Sequence, residues 1–146
     1  MKKLLPILLG LLVGLFFTKI FYDSYNVSYT FNDNTLVYVF QQGVYSNKKS
    51  IEENVTLNYY IYEKNDDLYY VYAGFTSSSN NVQKLKDFFE KRGYSIYVKE
   101  INMPTSNFTE ILKQYDILLE HTNDDVTIEA ISASVLSEYE EVYGEN

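Results

Sequence analysis

The chain has no cysteine and few cationic side chains, and each shortage excludes a class of function. Without cysteine there can be no disulfide, no thiolate nucleophile, no cysteine-based zinc site and no lipidated cysteine. The 12 lysines and arginines face 20 acidic residues, which gives a formal net charge of −8. Nucleic-acid binding takes most of its affinity from cationic side chains that displace counterions, so this balance argues against a nucleic-acid partner.

Groups that could carry catalysis are also scarce. The single histidine, His121, lies near a predicted helix end beside acidic residues, where a capping or surface role is expected. The pairs Asp66-Asp67 and Asp124-Asp125 fit turns and helix caps, whereas glycosidase carboxylates stand apart across a cleft. No nucleophile motif or phosphate loop is present. We therefore expect a protein that is not an enzyme and that binds no cofactor or metal.

A long apolar run near the start of the chain is the first positive feature. Residues 4–22, "LLPILLGLLVGLFFTKIFY", follow two lysines within residues 1–3. As a helix the run would span about 28 Å, close to the thickness of the hydrocarbon core of a bilayer. The preceding lysines predict a cytoplasmic N-terminus, a single-pass membrane anchor and an extracytoplasmic remainder. A cleaved signal peptide is the alternative, although no small-x-small cleavage site follows the run.

The segment after the anchor has the pattern of a βαββαβ domain. Residues 23–35 are polar and are predicted to form a tether. The patterns predict strands in "LVYVFQQGVY", "NYYIYE", "LYYVYAGF" and "YSIYVKEI", and helices in "SNKKSIEENVTL" and "SSNNVQKLKDFFEKRG". Aligning Gly43 with Gly74 shows two similar units about 30 residues apart. Two such units predict an α+β split-βαβ (ferredoxin/RNP-like) sandwich with an antiparallel sheet over residues 36–103.

Alternation along the strands predicts a helix-covered sheet face and an open face rich in tyrosine. The side chains expected towards the helices are Phe40, Tyr59, Ile61, Val71, Ala73, Ile96 and Val98. Those expected on the open face are Val39, Gln41, Tyr60, Tyr62, Leu68, Tyr70, Tyr72, Tyr97 and Lys99. A tyrosine ring with its hydroxyl suits a sugar chain. The alternatives are the ordinary strand propensity of aromatic residues, or cover by the C-terminal segment.

Residues 104–146 are predicted to form a helical hairpin. The first apolar stripe comprises Phe108, Ile111, Leu112, Tyr115, Leu118 and Leu119. The second comprises Val126, Ala130, Ile131, Val135 and Leu136. Such stripes are expected to pack on the domain or on each other, and an intermolecular contact is the alternative.

The strand and helix motifs resemble the SPOR (sporulation-related repeat) family of peptidoglycan-binding domains. "YVFQQGVY" is similar to the first strand of the family, with Gln41 and Gly43 in register, and "YVYAGFTSSSNNV" is similar to the end of its third strand. The end of the family's second helix is matched by Leu85, Phe89, Gly93 and Tyr94. The resemblance covers about residues 36–101 and departs from the family at Val44, where serine is common, and at Tyr70, where arginine is common.

The resemblance implies binding of peptidoglycan glycan strands, which in the best-known members are strands stripped of stem peptides. It also implies that the anchor lies in a bacterial cell membrane and that the anchored protein is targeted to sites of cell-wall remodelling, division or sporulation. The predicted ligand-binding residues are Gln41, Tyr60, Tyr62, Tyr70, Tyr72 and Tyr97. The alternative is a protein-interaction module that holds a membrane protein partner through the tyrosine face or the C-terminal helices.

Overall fold

Eight elements make up residues 34–144, the part of the chain that the computed structural model describes. The strands are β1 (Asn34–Tyr45), β2 (Ile61–Asn65), β3 (Leu68–Thr76) and β4 (Tyr97–Pro104). The helices are α1 (Lys48–Asn54), α2 (Ser79–Lys91), α3 (Asn107–Glu120) and α4 (Asp125–Tyr143). The predicted α+β order, βαββαβ followed by two helices, is confirmed over these residues.

Local signals account for several element ends. The Asn47 side chain caps α1 by accepting the Ser50 N–H at 2.9 Å, and Asp124 caps α4 by accepting the Thr127 N–H at 2.9 Å. Past the end of α2, Gly93 has a φ of 81°, a left-handed conformation that glycine adopts without steric cost. Asn47 and Asp124 thus accept hydrogen bonds from backbone N–H groups that a helix start leaves unpaired, and Gly93 lets the chain turn away after α2.

The four strands form one sheet in the order β2-β3-β1-β4, and every neighbouring pair is antiparallel. This order is compatible with the split βαβ arrangement, in which the two halves of the repeat interleave their strands. The short strands β2 and β4 are the two edges of the sheet. The two central strands are β1, which is the longest, and β3, which is the most buried.

The helix-covered face has the core that the alternation predicts. Phe40 and Val71 are fully buried, and the Phe40 ring lies 5.8 Å from the ring of Phe89 on α2. Leu85 and Phe88 extend the same apolar stripe of α2. Because these residues recur at helical spacing, the sequence alone identifies the face of α2 that packs on the sheet.

A double irregularity between β1 and β3 changes the other face. Phe40 pairs with Gly74 and Gln41 with Tyr72, so Ala73 is an extra residue on β3; Gln42 is the corresponding extra residue on β1. The extra residue puts Phe75, which simple alternation would turn towards the helices, on the same face as Tyr72; the two rings lie 5.7 Å apart.

The C-terminal helices cover the end of the sheet where Phe75 lies. The Phe75 ring stacks on Tyr139 of α4 at 4.4 Å and meets Phe108 of α3 edge-on at 5.8 Å. Val39, which pairs with Phe75, is only 1% exposed, so the predicted exposure of Val39 is wrong. The C-terminal helices therefore cover part of the sheet face that was expected to be open.

Four further predictions of exposure are also wrong. Tyr59 is exposed rather than buried, because β2 begins only at Ile61 and leaves Tyr59 in the preceding loop. Three residues assigned to buried stripes are also exposed: Leu118 (55%), Val126 (72%) and Ala130. Ile61 is buried, as predicted, but it pairs with Tyr72 and therefore lies on the face that was expected to be open.

The predicted anchor, residues 4–22, lies outside the described residues, as does the tether up to residue 33. Within residues 34–144, none of the helices has the length and apolar character needed to cross a bilayer.

Candidate functional site

Strand pairing brings four of the predicted site residues onto the uncovered part of the sheet. Gln41 on β1 pairs with Tyr72 on one side and with Tyr97 on the other. Directly paired residues in an antiparallel sheet share a face, so these three side chains form one row. Tyr70 lies two residues from Tyr72 on the same strand and pairs with Glu63 of β2.

Lys99 completes this group from β4. Its ammonium nitrogen lies 5.4 Å from the centroid of the Tyr70 ring and 5.2 Å from that of Tyr72, within the range of a cation–π interaction. Lys99 pairs with Val39, so its side chain crosses β1 to reach the two rings on β3. We call the resulting surface the tyrosine face. It comprises Gln41, Glu63, Tyr70, Tyr72, Tyr97 and Lys99.

The members of the tyrosine face differ in exposure. Tyr97 is 67% exposed, whereas Gln41, Tyr70 and Lys99 are half-buried. Tyr72 is only 6% exposed, so its predicted exposure is wrong; the Lys99 side chain and the neighbouring elements cover it. Tyr72 therefore forms the floor of the face, and a ligand on this surface would meet Tyr97, Tyr70, Gln41 and Lys99.

Glu63 connects the tyrosine face to the end of α4. Its carboxylate accepts a hydrogen bond of 2.5 Å from the Tyr139 hydroxyl. Burial raises the pKa of Tyr72, and the negative charge of Glu63 raises it further. Burial and the same carboxylate also raise the pKa of Tyr139. The Tyr139 phenol is therefore protonated at neutral pH and acts as the donor to Glu63.

Tyr60 and Tyr62 do not join the tyrosine face, so their predicted placement there is wrong. Tyr62 pairs with Val71 and points to the opposite side of the sheet, where Lys48 of α1 lies 5.4 Å from its ring. Tyr60 precedes β2 and is half-buried. The sequence pattern misleads because Ile61, not Tyr62, pairs with Tyr72, and one residue of shift in the pairing register exchanges the two faces of a strand.

Both residues instead line a groove of about 740 Å³ along β2. Tyr139, Tyr143 and Glu140 at the end of α4 line its other side. The groove and the tyrosine face share Glu63, so the two surfaces meet at β2.

Three residues of this region are absent from the predicted site: Glu63, Lys99 and Tyr139. For Lys99 a signal existed, because it follows Tyr97 by two residues and the alternation already assigns it to the same face. For Tyr139 there was none, since it belongs to an acidic segment outside the predicted apolar stripes. Only the three-dimensional packing brings Tyr139 to Glu63.

The chemistry of the tyrosine face is that of binding rather than bond cleavage. It offers ring surfaces, one amide, tyrosine hydroxyls and one ammonium group, which together can contact a ligand with apolar faces and polar edges. Within the described residues no cluster of three or more histidine, aspartate and glutamate side chains could hold a metal ion. His121 ends α3 as an exposed residue, with its Nδ1 atom 2.8 Å from the carbonyl oxygen of Ile117.

No protein-family model matches the chain, and neither does any curated protein or solved structure. The likeness to the SPOR family therefore depends on the residues quoted above.

Proposed function

We propose that the protein is a membrane-anchored, extracytoplasmic SPOR-like module that binds peptidoglycan glycan strands through the tyrosine face. Binding would target the protein to sites of cell-wall remodelling, division or sporulation. The domain would act without catalysis and without a nucleic-acid partner.

One observation carries this proposal: Gln41, Tyr72 and Tyr97 form a single row across three strands, with Tyr70 and Lys99 beside it. Tyr97 and Tyr70 can stack against pyranose rings, and the Gln41 amide can bond a hydroxyl or N-acetyl group. Gln41 is also a residue on which the family resemblance depends. A row of this kind suits an extended polymer better than a compact ligand, since the side chains follow one direction across the sheet.

The test is co-sedimentation of the full-length protein, in detergent, with purified sacculi. Tyr97→Ala combined with Gln41→Ala should weaken binding at least about tenfold, because the apolar contact of a sugar with an aromatic ring and one hydrogen bond each contribute about 1 kcal/mol or more. Folding should be preserved, because Tyr97 is 67% exposed.

Tyr59→Ala is the matched control. Tyr59 is 55% exposed and lines a hollow beside Phe88 and Glu129, away from the tyrosine face. This variant should sediment with sacculi as the wild type does. Unchanged sedimentation of the Tyr97 and Gln41 double variant would show that the tyrosine face is not the glycan site. Tyr72→Ala is a poor probe, because the buried ring and its hydroxyl support the fold.

The proposed location follows from the apolar run at residues 4–22 and the lysines before it. Protease added to intact spheroplasts should digest the part of the chain that follows the anchor. Protection of that part would overturn the external placement.

A second function, contact with a membrane protein partner, is supported by an outward apolar surface on the C-terminal helices. Ile117, Leu118 and Val126 are 57%, 55% and 72% exposed. These side chains lie at the end of α3 and the start of α4, and an exposed apolar patch, unlike a single exposed side chain, marks an interaction site. Ile117→Ser with Leu118→Ser should abolish such an interaction in a crosslinking experiment while leaving sedimentation with sacculi unchanged.

A further inference from the structure

Lys99 is a cation with an unusual position in an acidic protein. It lies half-buried in the middle of the tyrosine face, with its ammonium nitrogen above the rings of Tyr70 and Tyr72. Glycan binding by stacking and hydrogen bonding needs no such charge. A positive group on a surface built for sugars therefore points to a feature of the ligand.

The charge of Lys99 is not neutralised within the described residues. The ion pairs there involve Lys49, Lys91, Arg92 and Lys113, and none involves Lys99. Glu63, the carboxylate on the same face, instead accepts a hydrogen bond from Tyr139. The ammonium group of Lys99 is thus held in place by two aromatic rings and remains available to an anion.

We propose that Lys99 makes the tyrosine face selective for glycans whose pyranose rings carry a carboxylate; this inference rests on the proposed glycan binding. The carboxylate would bind the ammonium group while the sugar ring lies against Tyr70 or Tyr97. Charge-assisted hydrogen bonds are stronger than neutral ones, and in a chain with a formal net charge of −8 a local cation is what can attract an anion.

Two kinds of polymer present this chemistry. Wall strands without stem peptides carry a free carboxylate on a lactyl ether, and uronic-acid polymers carry it on the ring itself. The shared group is a carboxylate within a few bonds of a pyranose ring.

The experiment measures dissociation constants of the full-length protein in detergent by calorimetry. Three probes are used: neutral N-acetylglucosamine hexamer, galacturonic-acid hexamer, and wall strands released from sacculi by an amidase. At least one of the two acidic probes should bind about tenfold or more tightly than the neutral hexamer, and the probe that does so identifies the source of the carboxylate.

Lys99→Met removes the charge but keeps an unbranched apolar side chain over the rings. This variant should bind the acidic and the neutral probes with similar affinity, and Lys99→Arg should restore the preference for the acidic probe. Wild-type binding of the acidic probe should weaken as salt increases, whereas that of Lys99→Met should not. The control is Lys86→Met, which removes a half-buried lysine of α2 and should change nothing.

The outcomes separate the two proposals. Equal binding of neutral and acidic probes by the wild type, or an unchanged preference in Lys99→Met, would overturn the role of Lys99 and leave glycan binding intact. Failure of the wild type to bind any of the three probes would overturn both.

Discussion

At the scale of single residues, Tyr139 shows how a tyrosine acts as an attachment point. Its ring stacks on Phe75 and packs edge-on against Phe108, and its hydroxyl donates to Glu63. Apolar contact and a charge-assisted hydrogen bond thus act through one side chain, which ties the end of α4 to β2 and β3. The tyrosines of the chain therefore have two structural roles: some rings form an exposed surface, and others pack in the core.

Removing the Tyr139 hydroxyl should have an effect that depends on pH. Tyr139→Phe should lower the free energy of unfolding by about 1.5 to 3 kcal/mol near pH 7, the usual contribution of a hydrogen bond to a charged group. The pKa of Tyr139 is raised in the folded state. Its contribution is therefore complete below the pKa of an unfolded tyrosine, about 10, and is lost as the pH rises further.

Urea denaturation of both proteins from pH 7 to pH 11 measures this effect. The difference in unfolding free energy between wild type and Tyr139→Phe should decrease above about pH 10. Tyr59→Phe, at an exposed ring, should match the wild type at every pH. A difference that stays constant with pH would mean that the Tyr139 hydroxyl does not titrate with folding.

At the scale of elements, Asp116 explains the polar turn between β3 and α2. This buried residue of α3 accepts hydrogen bonds from the Ser77 N–H at 2.8 Å, from the Ser77 hydroxyl at 2.6 Å and from the Thr76 hydroxyl. The Asn81 amide donates to the Asp116 backbone carbonyl at 3.0 Å. The polar residues after β3, which look like an ordinary turn in the sequence, therefore form the contact with α3.

Lys84 supports the same contact from the other direction. Its ammonium group donates to the backbone carbonyls of Leu119, Glu120 and Thr122, at 2.6, 3.2 and 2.8 Å. These carbonyls lie at and just beyond the end of α3, where the carbonyls of the last turn lack their usual helical partners and a cation interacts favourably with the helix dipole. The joint between α2 and α3 is thus polar, although each helix buries an apolar stripe against the core.

Asp116→Ala should destabilise the protein by at least about 3 kcal/mol, since it leaves several buried donors at Thr76 and Ser77 without an acceptor. Thermal unfolding followed by circular dichroism measures the loss. Glu90→Ala, which removes an exposed carboxylate from α2, should stay within about 0.5 kcal/mol of the wild type. A comparably small loss for Asp116→Ala would mean that water replaces the carboxyl oxygens.

The elements also show where prediction from the sequence succeeds and where it fails. The apolar stripe of α2, the Gly93 stop and the tyrosine row on β1, β3 and β4 follow from local patterns and are present in the structure. The extra residue at Ala73 and the late start of β2 are not visible locally, because they depend on how strands pair. The register of β2 places Tyr62 on the opposite face from Tyr72. The burial of Val39 and Tyr72 has another cause, because the C-terminal helices and the Lys99 side chain cover them.

At the scale of the whole molecule, the C-terminal helices are part of the core. The residues that α3 and α4 contribute to the buried apolar cluster are Phe108, Leu112, Leu119, Ile128, Ile131, Val135, Leu136 and Tyr139. A four-stranded sheet with two helices would leave Phe75 and Val39 in water without them. The resemblance covers residues up to about 101, so the described domain is larger than the segment on which the resemblance depends.

A chain that ends after Thr105 should therefore fail to unfold cooperatively and should aggregate, because each lost or exposed large apolar side chain forfeits about 1.5 to 3 kcal/mol. Circular dichroism and size-exclusion chromatography of the shortened protein measure both effects. A soluble product with a sharp melting transition would contradict the shared core and would make α3 and α4 a separate element.

Two neighbouring leucines of α3 provide a graded version of the same prediction in the full-length chain. Leu119 is 1% exposed and belongs to the core, whereas Leu118 is 55% exposed. Leu119→Ala should cost about 2 to 5 kcal/mol by leaving a cavity, and Leu118→Ala should stay within about 0.5 kcal/mol of the wild type. Because both variants remove the same atoms from the same helix, differences in helix propensity cancel. Equal losses measured by urea denaturation would show that α3 does not present its Leu119 side to the sheet.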